Sequence, residues 1–132
     1  MTRFAIDAGV ARRLVRENLA IGDGHSLVAP SSLRADVMAD LYRDVREGRL
    51  SEANGRRELE GIAELKVRLL GDRVSRVTAW KIATERGDDD LALAEYLAVA
   101  RLQADALVAS DPRLRDAANG IIALAEFDDL LS

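Results

Sequence analysis

Residues 3–18, RFAIDAGVARRLVREN, pass from a short apolar run ending in an acid to a segment in which Val10, Leu14 and Val15 recur at helical spacing. This is the pattern of a strand followed directly by a helix, and the alternation continues down the chain. The loop IGDGH (21–25) breaks the helix with two glycines, and SLVAP (26–30) is a second apolar run stopped by Pro30. Ser31 or Ser32 offers a cap for a helix from Leu33, where Leu33, Val37, Leu41 and Val45 repeat at helical spacing up to Gly48. Ser51 opens a further amphipathic segment with its stop at Gly71. RVSRVTAWKIATERG (73–87) predicts a brief strand around Val74 and then a helix through Thr84. DDDLALAEYLAVARLQ (88–103) predicts a helix and ADALVASD (104–111) a strand. A short helix from Pro112, a last strand near Ile121 to Leu124 and an acidic tail, EFDDLLS, complete the pattern. Short strands alternating with longer helices imply right-handed crossovers and an α/β fold whose parallel sheet is covered on both faces. No repeat, low-complexity segment or linker interrupts the 132 residues, so 1–132 is expected to form a single domain.

Composition removes several kinds of chemistry. The absence of cysteine excludes disulfides, thiolate nucleophiles, zinc–cysteine sites and iron–sulfur clusters, leaving oxygen donors and the single His25 as metal ligands. No apolar stretch approaches the roughly 18 to 20 residues needed to span a bilayer, and MTRFAIDAGV lacks the long apolar core of a signal peptide. The expectation is a soluble, cytoplasmic chain with no membrane partner. A net charge of −4 argues against broad nonspecific nucleic-acid binding, while leaving room for a local basic rim around an acidic cleft.

In parallel sheets ligands gather beyond the carboxyl ends of the strands. Asp7 ends the first strand and Asp111 ends ALVASD, so two acids far apart in sequence can meet at one edge. Asp36 lies about one turn into the helix after the second strand, where it can point back to the same edge. Carboxylates about 5 Å apart repel by about 3 kcal/mol per pair at an effective dielectric near 20. Mg²⁺ or Mn²⁺, hard ions that prefer oxygen, would relieve that repulsion. Taken singly, Asp7 and Asp111 also read as helix caps and Asp36 as a solvated helix residue; their joint placement points to a metal.

FAIDAGVARRLV (4–15), LVAPSSLRADVMADLYR (27–43) and LAEYLAVARLQADALVASDPRL (93–114) carry a resemblance that spans nearly the whole chain. It resembles PIN-domain proteins and, more closely, the VapC-type toxins of bacterial toxin–antitoxin pairs. The resemblance implies a compact three-layer α/β/α sandwich with a short, mainly parallel sheet. It further implies a metal-dependent ribonuclease in which Asp7, Asp36 and Asp111 bind Mg²⁺ or Mn²⁺ and position water for attack on an RNA phosphodiester, leaving a 3′-hydroxyl and a 5′-phosphate. A homodimer and a cognate VapB-like antitoxin lying across the cleft are the partners it implies. Arg12, Arg13 and Arg16, on one sector of the first helix, would be placed to hold RNA phosphates, or else form a solvated face. Ser110 would bond a ligand near Asp111 or finish a turn.

Two positions depart from the family. Its third acid falls three residues before the tyrosine of a D-x-x-Y-like stretch, and here Leu93 stands there, ahead of Tyr96. The family favours serine or threonine two residues after the first aspartate, and here that residue is Gly9. Losing a carboxylate at Leu93 should weaken metal binding. Asp90 and Asp89 lie one turn nearer the N-terminus, about 5.4 Å away, and either acts as a fourth metal ligand only through a late helix start or a bridging water. Otherwise the three aspartates cap the helix and favour its dipole. Glu95 faces nearly the opposite side, His25 is expected to be exposed and uninvolved, and Trp80 and Tyr96 are expected in the core. Two principal readings therefore compete: a ribonuclease weakened at Leu93, and a catalytically inactive binding module for an antitoxin or RNA.

Overall fold

A computed structural model describes residues 1–132 throughout. The elements run β1 (Thr2–Ile6), α1 (Ala8–Arg16), β2 (His25–Pro30), α2 (Leu33–Arg46), α3 (Glu52–Glu64), β3 (Arg68–Leu70), α4 (Arg73–Arg86), α5 (Leu91–Gln103), β4 (Ala106–Val108) and α6 (Pro112–Ala117), ending in a 3₁₀ turn at Phe127–Leu130. The sheet has order β3-β2-β1-β4 and every pairing is parallel, with Phe4 opposite Leu27 on one side and Ala106 on the other.

The order explains the layers. From β1 the chain steps outward through β2 to β3, so right-handed crossovers place α1, α2 and α3 together on one face. It then returns across the sheet to β4, which puts α4 and α5 on the other, where α5 packs directly on β1 and β2. The result is a three-layer α/β/α sandwich. Because the central strands are covered on both sides, Phe4, Ala5 and Ile6 are all buried, as are Leu27, Val28 and Ala29, with no polar alternation. No helix is long and apolar enough to cross a membrane.

Several expectations are corrected. The strand placed around Val74 lies earlier, at Arg68–Leu70, because α3 ends at Glu64 and Leu65 turns to extended backbone. Val74 belongs to α4, which begins where the Asp72 carboxylate accepts the Ser75 N–H at 2.8 Å. The strand near Ile121–Leu124 shrinks to one bridge, Leu107 to Leu124, because the N–H groups of Ile121 and Ile122 are spent on Ala118 in the turn after α6. Trp80 is 68% exposed rather than in the core, and His25 is half-buried with its ring edge-on to Phe4. Neither Ser31 nor Ser32 makes a side-chain cap on α2.

Charge ties the first helical layer together. Arg12 reaches Asp44 at 2.9 Å and lies 3.8 Å from Glu58, while Arg16 approaches Glu58 at 3.4 Å. Glu58 is one of few buried polar groups, and these arginines link α1 to α2 and α3 around it. The guanidinium groups of Arg49 and Arg12 hold Asp44 below the usual carboxylate range against the opposing effect of its desolvation.

Candidate metal-binding acidic site

Asp7 follows β1 and acts as N-cap of α1, a position that leaves its carboxylate facing the C-terminal edge of the sheet. It is buried. One oxygen accepts the Val10 N–H at 3.0 Å, and the other accepts the N–H groups of Ser110 and Asp111, both at 3.0 Å. The Ser110 hydroxyl lies a further 3.4 and 3.5 Å from the two oxygens. The end of β1 and the end of β4 are thus clamped together through one side chain, across more than 100 residues of sequence.

Gly9 sits against that clamp. A Cβ placed on Gly9 would run into the Ser110 hydroxyl and come within 3.0 Å of the Ser110 Cβ. The Ser110 hydroxyl thus occupies the space that a side chain at position 9 would need. Gly9→Ala is expected to destabilise the fold by about 1–3 kcal/mol through overpacking. Removing the obstructing side chain in Gly9→Ala/Ser110→Gly should return part of that loss in a denaturant melt, and additive losses in the double variant would contradict the contact.

Asp36 stands in the first turn of α2 and accepts a 2.7 Å hydrogen bond from the Tyr96 hydroxyl. Burial raises the Tyr96 phenol far above its ordinary value, and the charges of Asp36, Asp7 and Asp40 push in the same direction. Tyr96 therefore remains a hydrogen-bond donor, surrounded by acids. The expectation of Tyr96 in the core holds for its ring, but its hydroxyl belongs to the acidic edge, a role that the apolar helical spacing of LAEYLAV did not signal.

Asp111 caps α6 by accepting the Arg113 N–H at 2.9 Å. As the side chains stand, each acid is turned onto a nearby N–H or O–H donor, and no three of them converge as a coordination set. In kind, the donors are carboxylate oxygens, the type of ligand a hard divalent cation takes. Asp7, Asp36 and Asp111 form no salt bridge, although Asp44, Glu58 and Asp90 each have an arginine. Unpaired carboxylates at one edge attract a cation, and their oxygens are the ligands that Mg²⁺ and Mn²⁺ prefer.

Asp90 is differently employed. One oxygen accepts the Leu93 N–H at 3.0 Å as the N-cap of α5, and the other pairs with Arg113. The backbone bond to Leu93 and the Arg113 guanidinium hold its carboxyl below the usual range, against desolvation. Asp88 pairs with Arg86 at 2.9 Å. The cap reading of the aspartate run therefore holds for Asp90. Leu93 is buried in the first turn of α5 and contributes no ligand.

The proposed phosphate-binding arginines are committed elsewhere. Arg12 is engaged with Asp44 and Glu58, Arg13 pairs with Glu17 at 2.9 Å and lies 3.8 Å over the Phe127 ring, and Arg16 serves Glu58. None contacts the site acids. The exposed Arg113 reaches across from α6 to Asp90 and brings a basic group to this edge.

No protein-family model and no curated protein matches the sequence. Among solved structures, the crystal structure of PAE2754 from Pyrobaculum aerophilum superposes with a TM-score of 0.69, covering 98% of this chain and 93% of that one at 20% sequence identity. The two chains share a fold. At that identity the likeness covers the architecture and extends no further.

Proposed function

We propose that this chain is a metal-dependent endoribonuclease of the PIN-domain, VapC-toxin type, acting in the cytoplasm and weakened by leucine at position 93. The observation that carries the reading is the set of Asp7, Asp36 and Asp111 at one sheet edge, left without a basic partner in a chain that has 19 lysines and arginines. The ion's contribution when bound is to activate water and offset charge developing on the phosphate. The chain's own groups do the positioning: the N–H groups of Val10, Ser110 and Asp111 fix Asp7, the Tyr96 hydroxyl fixes Asp36, and Arg113 supplies positive charge for a phosphate.

Added Mn²⁺ or Mg²⁺ is expected to raise the melting temperature, since an ion at about 100 times its Kd stabilises by about 2.7 kcal/mol. Asp36→Asn should abolish the shift while leaving the fold near its native stability. Absence of any shift at millimolar ion in the native protein would remove the metal from this reading.

A second reading is a catalytically inactive binding module, favoured by the buried apolar side chain of Leu93 and by the engagement of Asp90 with Arg113. Either reading takes as partners a second copy of the chain and a VapB-like antitoxin. Two apolar surfaces suit them: the groove of Met38, Tyr42 and Leu59 between α2 and α3, about 250 Å³ in volume, and the ridge of Val74, Val77 and Trp80 on α4.

A further inference from the structure

A polar cavity opens at the same edge of the sheet, apart from the acids. It lies where β2 ends at Pro30 and β3 at Leu70, and it is closed by α4 and α5. Its volume is about 120 Å³. Pro30, Leu70 and Val99 form apolar walls, while Ser31, Ser75, Arg76 and Glu95 supply the polar groups. The close approach of its floor is built in, since a Cβ on Gly71 would collide with the Ser31 hydroxyl and lie 2.9 Å from the Ser31 Cβ.

Two of these polar groups are already placed. The Ser75 hydroxyl donates to the Asp72 carbonyl at 3.0 Å, and the Arg76 guanidinium donates to the Gly71 carbonyl at 3.0 Å, which pins it at the rim. The other two are not: neither the Ser31 hydroxyl nor Glu95 makes a side-chain hydrogen bond, and Glu95, half-buried and lining the cavity, has no salt bridge either. It adjoins Tyr96, and successive residues on a helix point about 100° apart. Tyr96 thus turns to Asp36 while Glu95 turns into the cavity, so one turn of α5 serves both places.

We propose that this cavity is a base-recognition subsite of the same RNA-binding edge, taking one guanine with Glu95 as the discriminating group; it rests on the reading of the chain as an RNA-acting protein. A flat ring suits the apolar walls, and single-stranded RNA is read on the Watson–Crick edges of splayed-out bases. A carboxylate has two acceptors and no donor. Guanine presents two adjacent donors on that edge, its N1–H and 2-amino group. Adenine and cytosine set one amine beside a ring-nitrogen acceptor, and uracil sets one N–H between two carbonyls, so each would turn an acceptor toward Glu95. Arg76 at the rim offsets the repulsion between Glu95 and the RNA backbone and can meet a phosphate or stack on the base.

The test uses the full chain in EDTA, so that no cleavage intervenes, with fluorescein-labelled pentaribonucleotides carrying G, A, C or U at the centre of a uridine background. Fluorescence anisotropy should show the G-containing strand bound about tenfold more tightly than the others, in the range of a bidentate base contact. Glu95→Gln, whose amide both donates and accepts, should lose that preference. Equal affinity for the four strands, or a G preference untouched by Glu95→Gln, would overturn the subsite while leaving the acidic site standing. No binding of any strand would overturn the subsite together with RNA as the ligand, and the ion-dependent melting shift would then report separately on the metal site.

Discussion

Asp7→Ala is expected to lower the unfolding free energy by about 3 kcal/mol and the melting temperature by roughly 10 °C. The carboxylate holds three backbone N–H groups, those of Val10, Ser110 and Asp111, in a buried setting. Removing it strands them, at about 1–3 kcal/mol for each donor left buried without a partner. It also deletes the N-cap of α1 and the link between β1 and β4. One effect opposes this: the repulsion between Asp7 and the neighbouring acids disappears. Screened at an effective dielectric near 20, that repulsion is on the order of 1–2 kcal/mol, less than the combined cost of the lost bonds. Asp7→Asn should be intermediate, since one amide oxygen still accepts while the amide nitrogen faces an N–H donor. Urea denaturation in EDTA isolates this structural part from any metal effect. A loss below about 1 kcal/mol for the alanine variant would show that the clamp contributes little.

Leu93→Asp is expected to raise metal-dependent RNA cleavage by about 10- to 100-fold and to bring the ion-induced melting shift to lower ion concentration, a magnitude typical of ligand-shell changes at metal sites. Leu93 lies three residues before Tyr96, so an acid there shares the helix face that carries Tyr96 toward Asp36. The substitution costs about 1.5–3 kcal/mol of apolar burial, so its intrinsic effect in EDTA should be destabilising. Destabilisation without the ion and stabilisation with it is therefore the signature of a restored ligand. Cleavage that is already strong in the native chain and unchanged by Leu93→Asp would mean that another acid compensates. Absence of ion-dependent cleavage from both proteins would leave the inactive binding module as the function.

The alternation of apolar runs with amphipathic segments in RFAIDAGVARRLVREN, SLVAP and ADALVASD was sufficient to specify a parallel sheet between helical layers, because burial on both faces leaves a local mark in the chain. The same holds for the cap at Asp90, whose partner lies three residues away. Where competing local patterns existed, placement slipped: Leu69, Leu70 and Val74 are all apolar, and the cap bond from Ser75 to Asp72 settled which became strand and which helix. The arginines of α1 show the limit of helical-wheel reasoning. Their spacing indicates a shared sector, whereas Asp44 and Glu58, distant in sequence, determine what that sector meets.

The candidate site divides along the same line. That Asp7, Asp36 and Asp111 gather at one edge follows from strand order and from the rule that strand ends face one side. That Asp7 is held by residues 110 and 111, that Asp36 is held by Tyr96 across 60 residues, that Ser110 occupies the space Gly9 leaves open, and that Glu95 opens into a polar cavity depend on packing between distant segments. Periodicity records only whether a side chain faces the interior or solvent. Which atom it meets there is decided when the β1–β4 and α2–α5 surfaces close on one another, since hydrogen bonds and steric exclusion act over a few ångströms in space irrespective of separation along the chain.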